Sequence, residues 1–298
     1  MQIDRLVKAI KSKGLPVALG LDTKFEYVPE GFARPYIEEG GRAEAVFAFN
    51  RELMRELRDM VPCVKIQAAY YELLGVSGMD CLRQTISAAR QMDYVVIVDA
   101  KRGDIGSTAE AYSGAYLKKN SPFRADFLTV NPYFGTDGMT PFLEDCAAAG
   151  NGIFALVKTS NPSSGEFQDI LTDDGRPLFM RVADHVSEWG KKMIGESGYS
   201  SVGAVVGATY PEQGAALRKM MPRTFFLLPG YGAQGASAEH LAPCFDDNGG
   251  GAVIAASRSI ICAYKKTGGQ DFASAARTEV ERMKADIERV LPKACSRR

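Results

Sequence analysis

The chain has 298 residues, 46% hydrophobic and 24% charged, a balance typical of soluble globular proteins that leaves room for one large core or two small ones. Thirty-six basic residues offset thirty-six acidic ones, so no global field draws the protein to nucleic acid or to an acidic membrane surface; an anionic ligand needs a local site. Six scattered cysteines with no C-x-x-C pair, and only His185 and His240 beside them, argue against a Cys/His metal framework and point to reduced thiols in the cytoplasm.

The opening MQIDRLVKAIKSKG sets Ile3, Leu6, Val7 and Ile10 on one helical face and ends at Gly14, a residue suited to a helix C-cap. It reads as a docking helix, not a signal peptide. The first strand is predicted in VALGLD (17–22), followed by a long connection from 23 to about 42 and a helix over 43–60. CVKIQ (63–67) and YVVIVDA (94–100) are strands separated by a helix over 80–91, and DFLTVN (126–131) and GIFALVK (152–158) continue the series. A second long connection, 159 to about 177, leads into a helix over 178–193; SVGAVVG (201–207), a helix over 211–221, TFFLLPG (224–230) and GAVIAAS (251–257) complete the chain.

Eight near-continuous apolar runs alternating with helices fit a single (β/α)8 barrel over 1–298, with long loops after strands one and five; an open doubly wound sheet is the alternative. No stretch approaches the roughly 20 apolar residues that would cross a bilayer.

In a barrel the C-terminal strand ends converge, which gathers Asp22, Lys65, Asp99 and Lys101 at one mouth. Strand alternation puts Asp99 and Lys101 on one side, and Ala100 and Arg102 on the other. An ion pair at a strand end is the plain alternative, and Lys65 reads equally as a surface lysine. Beyond strand three, Gly103 and Gly106 bracket Asp104, and Ser107 with Glu110 forms an S-x-x-E capping box expected to start the next helix, with Thr108 in its first turn. Taken singly, Asp104 reads as an Asx turn and Thr108 as helix packing. PGYGAQG (229–235) and ASRSI (256–260) supply glycine-rich backbone, Gln234, Ser257 and Arg258 where barrels commonly hold phosphate. Ser160 in KTSNPSSG (158–165) offers a hydroxyl to a polar ligand or to an ST turn.

The stretch VIVDAKRGDIGSTA (96–109) resembles the D-x-K-x-x-D-I-x-x-T signature of the orotidine 5′-phosphate decarboxylase family, and LGLD, VKIQ, TSNP, VVGATYPE, PGYGAQG and ASRSI follow in that family's order. The length is similar to its longer bacterial subgroup, with Ile66 standing where that subgroup usually has proline. The resemblance implies a metal-free and cofactor-free decarboxylation of orotidine 5′-monophosphate to UMP, ending pyrimidine nucleotide synthesis. It implies a charged catalytic array of Lys65, Asp99, Lys101 and Asp104, with Lys101 stabilising and protonating the C6 carbanion. It further implies ribose binding by Asp22, pyrimidine binding by Ser160, phosphate binding by Gln234, Arg258 and the Ser257 backbone, and a homodimer in which Asp104 and Thr108 serve the neighbouring subunit's site.

Two alternatives differ in kind. Metal-dependent sugar-phosphate decarboxylases and hexulose-phosphate synthases resemble this chain, but carry an acidic residue where Lys65 stands. A non-catalytic phosphate-binding barrel would keep Arg258 and Gln234 without needing the lysine and aspartate set. A fusion that also makes orotidine 5′-monophosphate would require a further domain for which 298 residues leave no room.

Overall fold

Alternation along eight short strands separates two apolar surfaces, and that separation builds the molecule. The computed structural model describes residues 1–207, 211–232, 237–267 and 271–291. Its strands are β1 (Val17–Leu21), β2 (Cys63–Gln67), β3 (Val95–Arg102), β4 (Phe127–Val130), β5 (Gly152–Lys158), β6 (Ser200–Val206), β7 (Thr224–Pro229) and β8 (Ala252–Ala256). All pair in parallel, in chain order, and β8 returns to β1 to close the barrel, so the open-sheet alternative falls.

One set of strand residues, including Leu19, Val64, Ile66, Val96, Val98, Leu128 and Ile254, packs outward beneath the helices. The alternate set, Ala18, Cys63, Val95, Ile97, Phe127, Phe154, Phe225 and Val253, fills the interior. Inside, Phe127 and Phe154 lie 5.1 Å apart between ring centroids. Glycines make room for them: a Cβ on Gly152 would fall 2.4 Å from the Phe127 ring, and one on Gly203 would fall 2.5 Å from Phe154.

The lower end of the barrel is plugged by the helix Gln2–Lys13, whose buried Ile3, Leu6, Val7 and Ile10 join the interior cluster. Its end is set by Gly14 at φ 64°, a left-handed cap that glycine adopts without strain. The docking face read from the sequence is the one that is buried.

Two local expectations are corrected. The stretch 23–42 is not a loop: after a short turn at Phe25–Tyr27, helix runs from Glu30 to Glu56, broken only at Gly41. The helix carries Pro35 within it and a kink at Gly41, yet Phe32 packs edge-on against Phe272 at 4.9 Å, and tertiary burial outweighs propensity. The helix after β3 starts at Gly106, so Ser107 lies inside it and makes no capping bond. Instead Asp104 Oδ1 accepts the Ile105 N–H at 2.8 Å, and Gly106 turns with φ 51°. The register of β3 to β4 shifts between Val98 and Arg102, yet Asp99 and Lys101 still share the cavity side while Arg102 faces away, as the alternation predicts. The connection after β5 keeps little regular structure: one turn at Pro162–Ser164, one at Gly165–Gln168, and a bridge between Leu171 and Pro177. No helix among the described residues is long and apolar enough to cross a membrane.

Candidate active site

The inward phase that is apolar at the barrel floor becomes polar two residues further up β2, β3 and β4, while Leu156, Leu227 and Ala255 keep it apolar on β5, β7 and β8. Cys63 is followed by Lys65 and Gln67, Ile97 by Asp99, and Phe127 by Thr129. Together they floor a cavity of about 670 Å³ at the C-terminal strand ends, a size suited to a small organic ligand.

Asp99 is the hub. Its Oδ1 accepts Lys101 Nζ at 2.6 Å and Thr129 Oγ1 at 2.9 Å; its Oδ2 accepts Gln67 Nε2 at 3.0 Å and Lys65 Nζ at 3.3 Å. Lys65 also donates to Asp22 Oδ1 at 2.5 Å, so its ammonium bridges two carboxylates. Burial pushes the Asp99 carboxyl up, but Lys65, Lys101 and Thr129 outweigh it and hold the group down at about 2. Burial likewise opposes the Lys65 charge, yet Asp22 and Asp99 hold that ammonium well above the ordinary lysine range.

Lys101 stands in a sparsely allowed backbone conformation, φ 49°, that L side chains seldom adopt. Its N–H donates to Thr129 Oγ1 at 2.9 Å, so one hydroxyl ties both the backbone of Lys101 and the carboxylate that its ammonium meets. The half-exposed ammonium faces the cavity, while Arg102 turns outward to Glu72 and lies over the Tyr112 ring at 5.5 Å.

The far wall carries Pro229, Gly230, Tyr231, Ser257 and Arg258 from the ends of β7 and β8. Gly20 permits Ser257 to sit there, since a Cβ at that position would lie 1.9 Å from Ser257 Oγ. Lys24, Lys65, Lys101 and Arg258 outnumber the lining carboxylates Asp22 and Asp99, which favours an anionic ligand. A third side is formed by Thr159, Ser160 and Asn161.

The structure thus gathers Asp22, Lys65, Asp99, Lys101, Ser160, Ser257 and Arg258 around one cavity. Gln234 lies outside the described residues. Asp104 and Thr108 do not line this cavity in their own chain: Asp104 is half-buried and Thr108 is exposed on the adjoining helix. Gln67 and Thr129 were missed in the sequence, although counting two residues on from Lys65 and from Phe127 along the inward phase would have found both.

Such a barrel, with its charged array at the C-terminal strand ends, is a (β/α)8 enzyme. Residues 17–268 match the model of the orotidine 5′-phosphate decarboxylase / HUMPS family. A Clostridium tetani orotidine 5′-phosphate decarboxylase is 41% identical over 96% of this chain and 98% of its own, and one from Rhodopirellula baltica is 44% identical over 91% of each. Among solved structures, a Leishmania donovani OMP decarboxylase is 29% identical, covers 96% of this chain and 98% of its own, and superposes with a TM-score of 0.74. The chain belongs to the orotidine 5′-phosphate decarboxylase family.

The two perturbed groups define a pH window. The depressed Asp99 contributes stability that is complete above its unfolded value of about 4 and is lost as pH falls through about 2. The raised Lys65 contributes stability that is complete below about 10 and is lost only at higher pH. Between about pH 5 and 9 neither changes charge. Stability to denaturant should therefore fall less steeply below about pH 4 in Asp99→Asn than in the unmodified protein; an acid limb of equal steepness in the variant would contradict the assignment.

Proposed function

We propose that the protein decarboxylates orotidine 5′-monophosphate to UMP without a cofactor, as the last step of pyrimidine nucleotide synthesis. The observation that carries this reading is the array itself: Lys101 held at 2.6 Å from a buried carboxylate whose other side is held by Lys65. The C6–carboxylate bond breaks, CO2 leaves, and the electron pair stays on C6. Lys101 Nζ stabilises that charge and then donates its proton to C6, and the neutral amine regains a proton from solvent. Because Asp99, Lys65 and Thr129 already fix the ammonium, little reorganisation is needed as charge builds at C6.

Asp22 would take the ribose hydroxyls, Ser160 the pyrimidine amide, and Arg258 with the Ser257 backbone and Gln234 the phosphate. Charge-assisted bonds from Arg258 supply binding energy remote from C6. The metal-dependent alternative is disfavoured by the donor set, since the Lys65 ammonium already occupies the space between Asp22 and Asp99 where a divalent cation would need to sit.

A homodimer with shared sites accounts for Asp104 and Thr108, which the array needs but their own cavity does not receive. Supporting it, apolar Ile105, Tyr133 and Phe134 are exposed on the segments flanking Asp104, and Leu73 and Val76 are exposed where the short helix Ala68–Glu72 after β2 meets the helix Gly75–Gln91.

Ultraviolet loss of orotidine 5′-monophosphate, followed with and without EDTA, tests the activity. The reading requires turnover that chelation leaves unchanged. Turnover abolished by EDTA, or activity only on a sugar phosphate with Mg2+, would replace it with the metal-dependent one. For the shared site, inactive Lys101→Ala and inactive Asp104→Ala chains should regain activity when mixed, through hybrid dimers that contain one intact site. No recovery after confirmed subunit exchange would show that each chain builds its site alone.

A further inference from the structure

Between the end of β5 and the cavity runs a hydrogen-bond chain whose polarity follows atom by atom. The Thr159 backbone N–H can only donate, and it meets Gln168 Oε1 at 2.9 Å. That fixes the Gln168 amide, so its Nε2 donates to Thr159 Oγ1 at 2.7 Å. The Thr159 hydroxyl has one proton left to give, and it goes to Asn161 at 2.6 Å. The receiving atom must therefore be the carbonyl Oδ1. Asn161 lines the cavity, and among the described residues none accepts a hydrogen bond from its Nδ2, which is left as a donor at the cavity wall.

The backbone that carries this chain is held firmly. The β5 register to β6 shifts between Leu156 and Lys158, which takes Lys158 out of the inward phase. Its ammonium, 1% exposed, meets Asp169 Oδ1 at 2.7 Å, next to Gln168, and lies 5.4 Å from the centre of the Phe179 ring. Gly207 N–H donates to Lys158 O at 2.7 Å, and a Cβ on Gly207 would fall 2.8 Å from the Ser160 backbone nitrogen, so only glycine allows that approach. The segment from Thr159 to Asn161 is thus tied from the strand side by Gly207 and from the connection side by Gln168 and Asp169.

We propose that Asn161 reads the base of the nucleotide, donating from Nδ2 to a ring carbonyl oxygen, and that Gln168, acting through Thr159, is the positioning residue that keeps this donor facing the ligand. The inference rests on the pyrimidine-nucleotide reading above and extends it to specificity. A uracil-type ring presents a carbonyl acceptor at C4, whereas a cytosine ring presents an amino group there, so a fixed donor accepts the first and opposes the second.

Because the polarity is set from outside the cavity, it can be reversed from outside. In Gln168→Glu both carboxylate oxygens accept, one from the Thr159 N–H and the other from its hydroxyl. Thr159 Oγ1 then has only lone pairs to offer Asn161, whose amide must turn over and present Oδ1 to the cavity. Dissociation constants of UMP and of cytidine 5′-monophosphate, measured calorimetrically, test this. The ratio favouring UMP should fall about tenfold in Gln168→Glu, as expected for one hydrogen bond of reversed polarity. Asn161→Asp, at an exposed position that folding tolerates, should lower the same ratio. Equal weakening of both nucleotides, or an unchanged ratio in both variants, would reduce Gln168 and Asn161 to a structural role and overturn the proposal while leaving the decarboxylase reading intact. Wild-type protein that binds neither nucleotide would instead overturn the nucleotide reading, and this specificity role with it.

Discussion

A single buried carboxylate holds the site together. Asp99 receives two ammoniums, a hydroxyl and an amide, and each of these side chains comes from one of three adjacent strands. An unpaired carboxylate at that depth would be strongly disfavoured, and an unpaired Lys65 equally so; together they satisfy each other. The array is therefore rigid before any ligand arrives, which is the condition for stabilising charge that develops only during a reaction.

The barrel supplies that rigidity through register. Pairing of Lys65 with Ile97 and of Gln67 with Asp99 across β2 and β3 sets the two inward ladders side by side, and a one-residue slip would turn every charged group toward the helices. The floor beneath is equally constrained, with Phe127 and Phe154 filling space that Gly152 and Gly203 leave open. Lys101 pays for its place with a left-handed backbone, held by the Thr129 hydroxyl that also anchors Asp99.

Much of this was legible in the sequence because it follows from period. The eight apolar runs fall on the eight strands, and the strand-end positions of Asp22, Lys65, Asp99 and Arg258 follow from them. What escaped depends on contacts that no local pattern carries. The helix beginning at Glu30 is held by Phe32 against Phe272, a residue 240 positions away, a contact that the local pattern of 23–42 does not carry. Ser107 matched a capping box, yet Asp104 and Gly106 settle the turn first. Thr129 and Gln67 are the exception: the strand period places both on the inward face, and only their meeting at Asp99 waits for the barrel to close. The polarity of Gln168, Thr159 and Asn161 depends on one backbone N–H, which no composition or spacing reveals.

The central claim is that Lys101 delivers a proton to C6. The most direct measurement is exchange of the C6 hydrogen of UMP for deuterium in heavy water, followed by nuclear magnetic resonance, since the same lysine must catalyse that proton transfer in reverse. Wild-type protein is predicted to catalyse exchange, and Lys101→Ala to bind UMP without exchanging it. Exchange that persists at the wild-type rate in Lys101→Ala would contradict the account and place the proton donor elsewhere in the array.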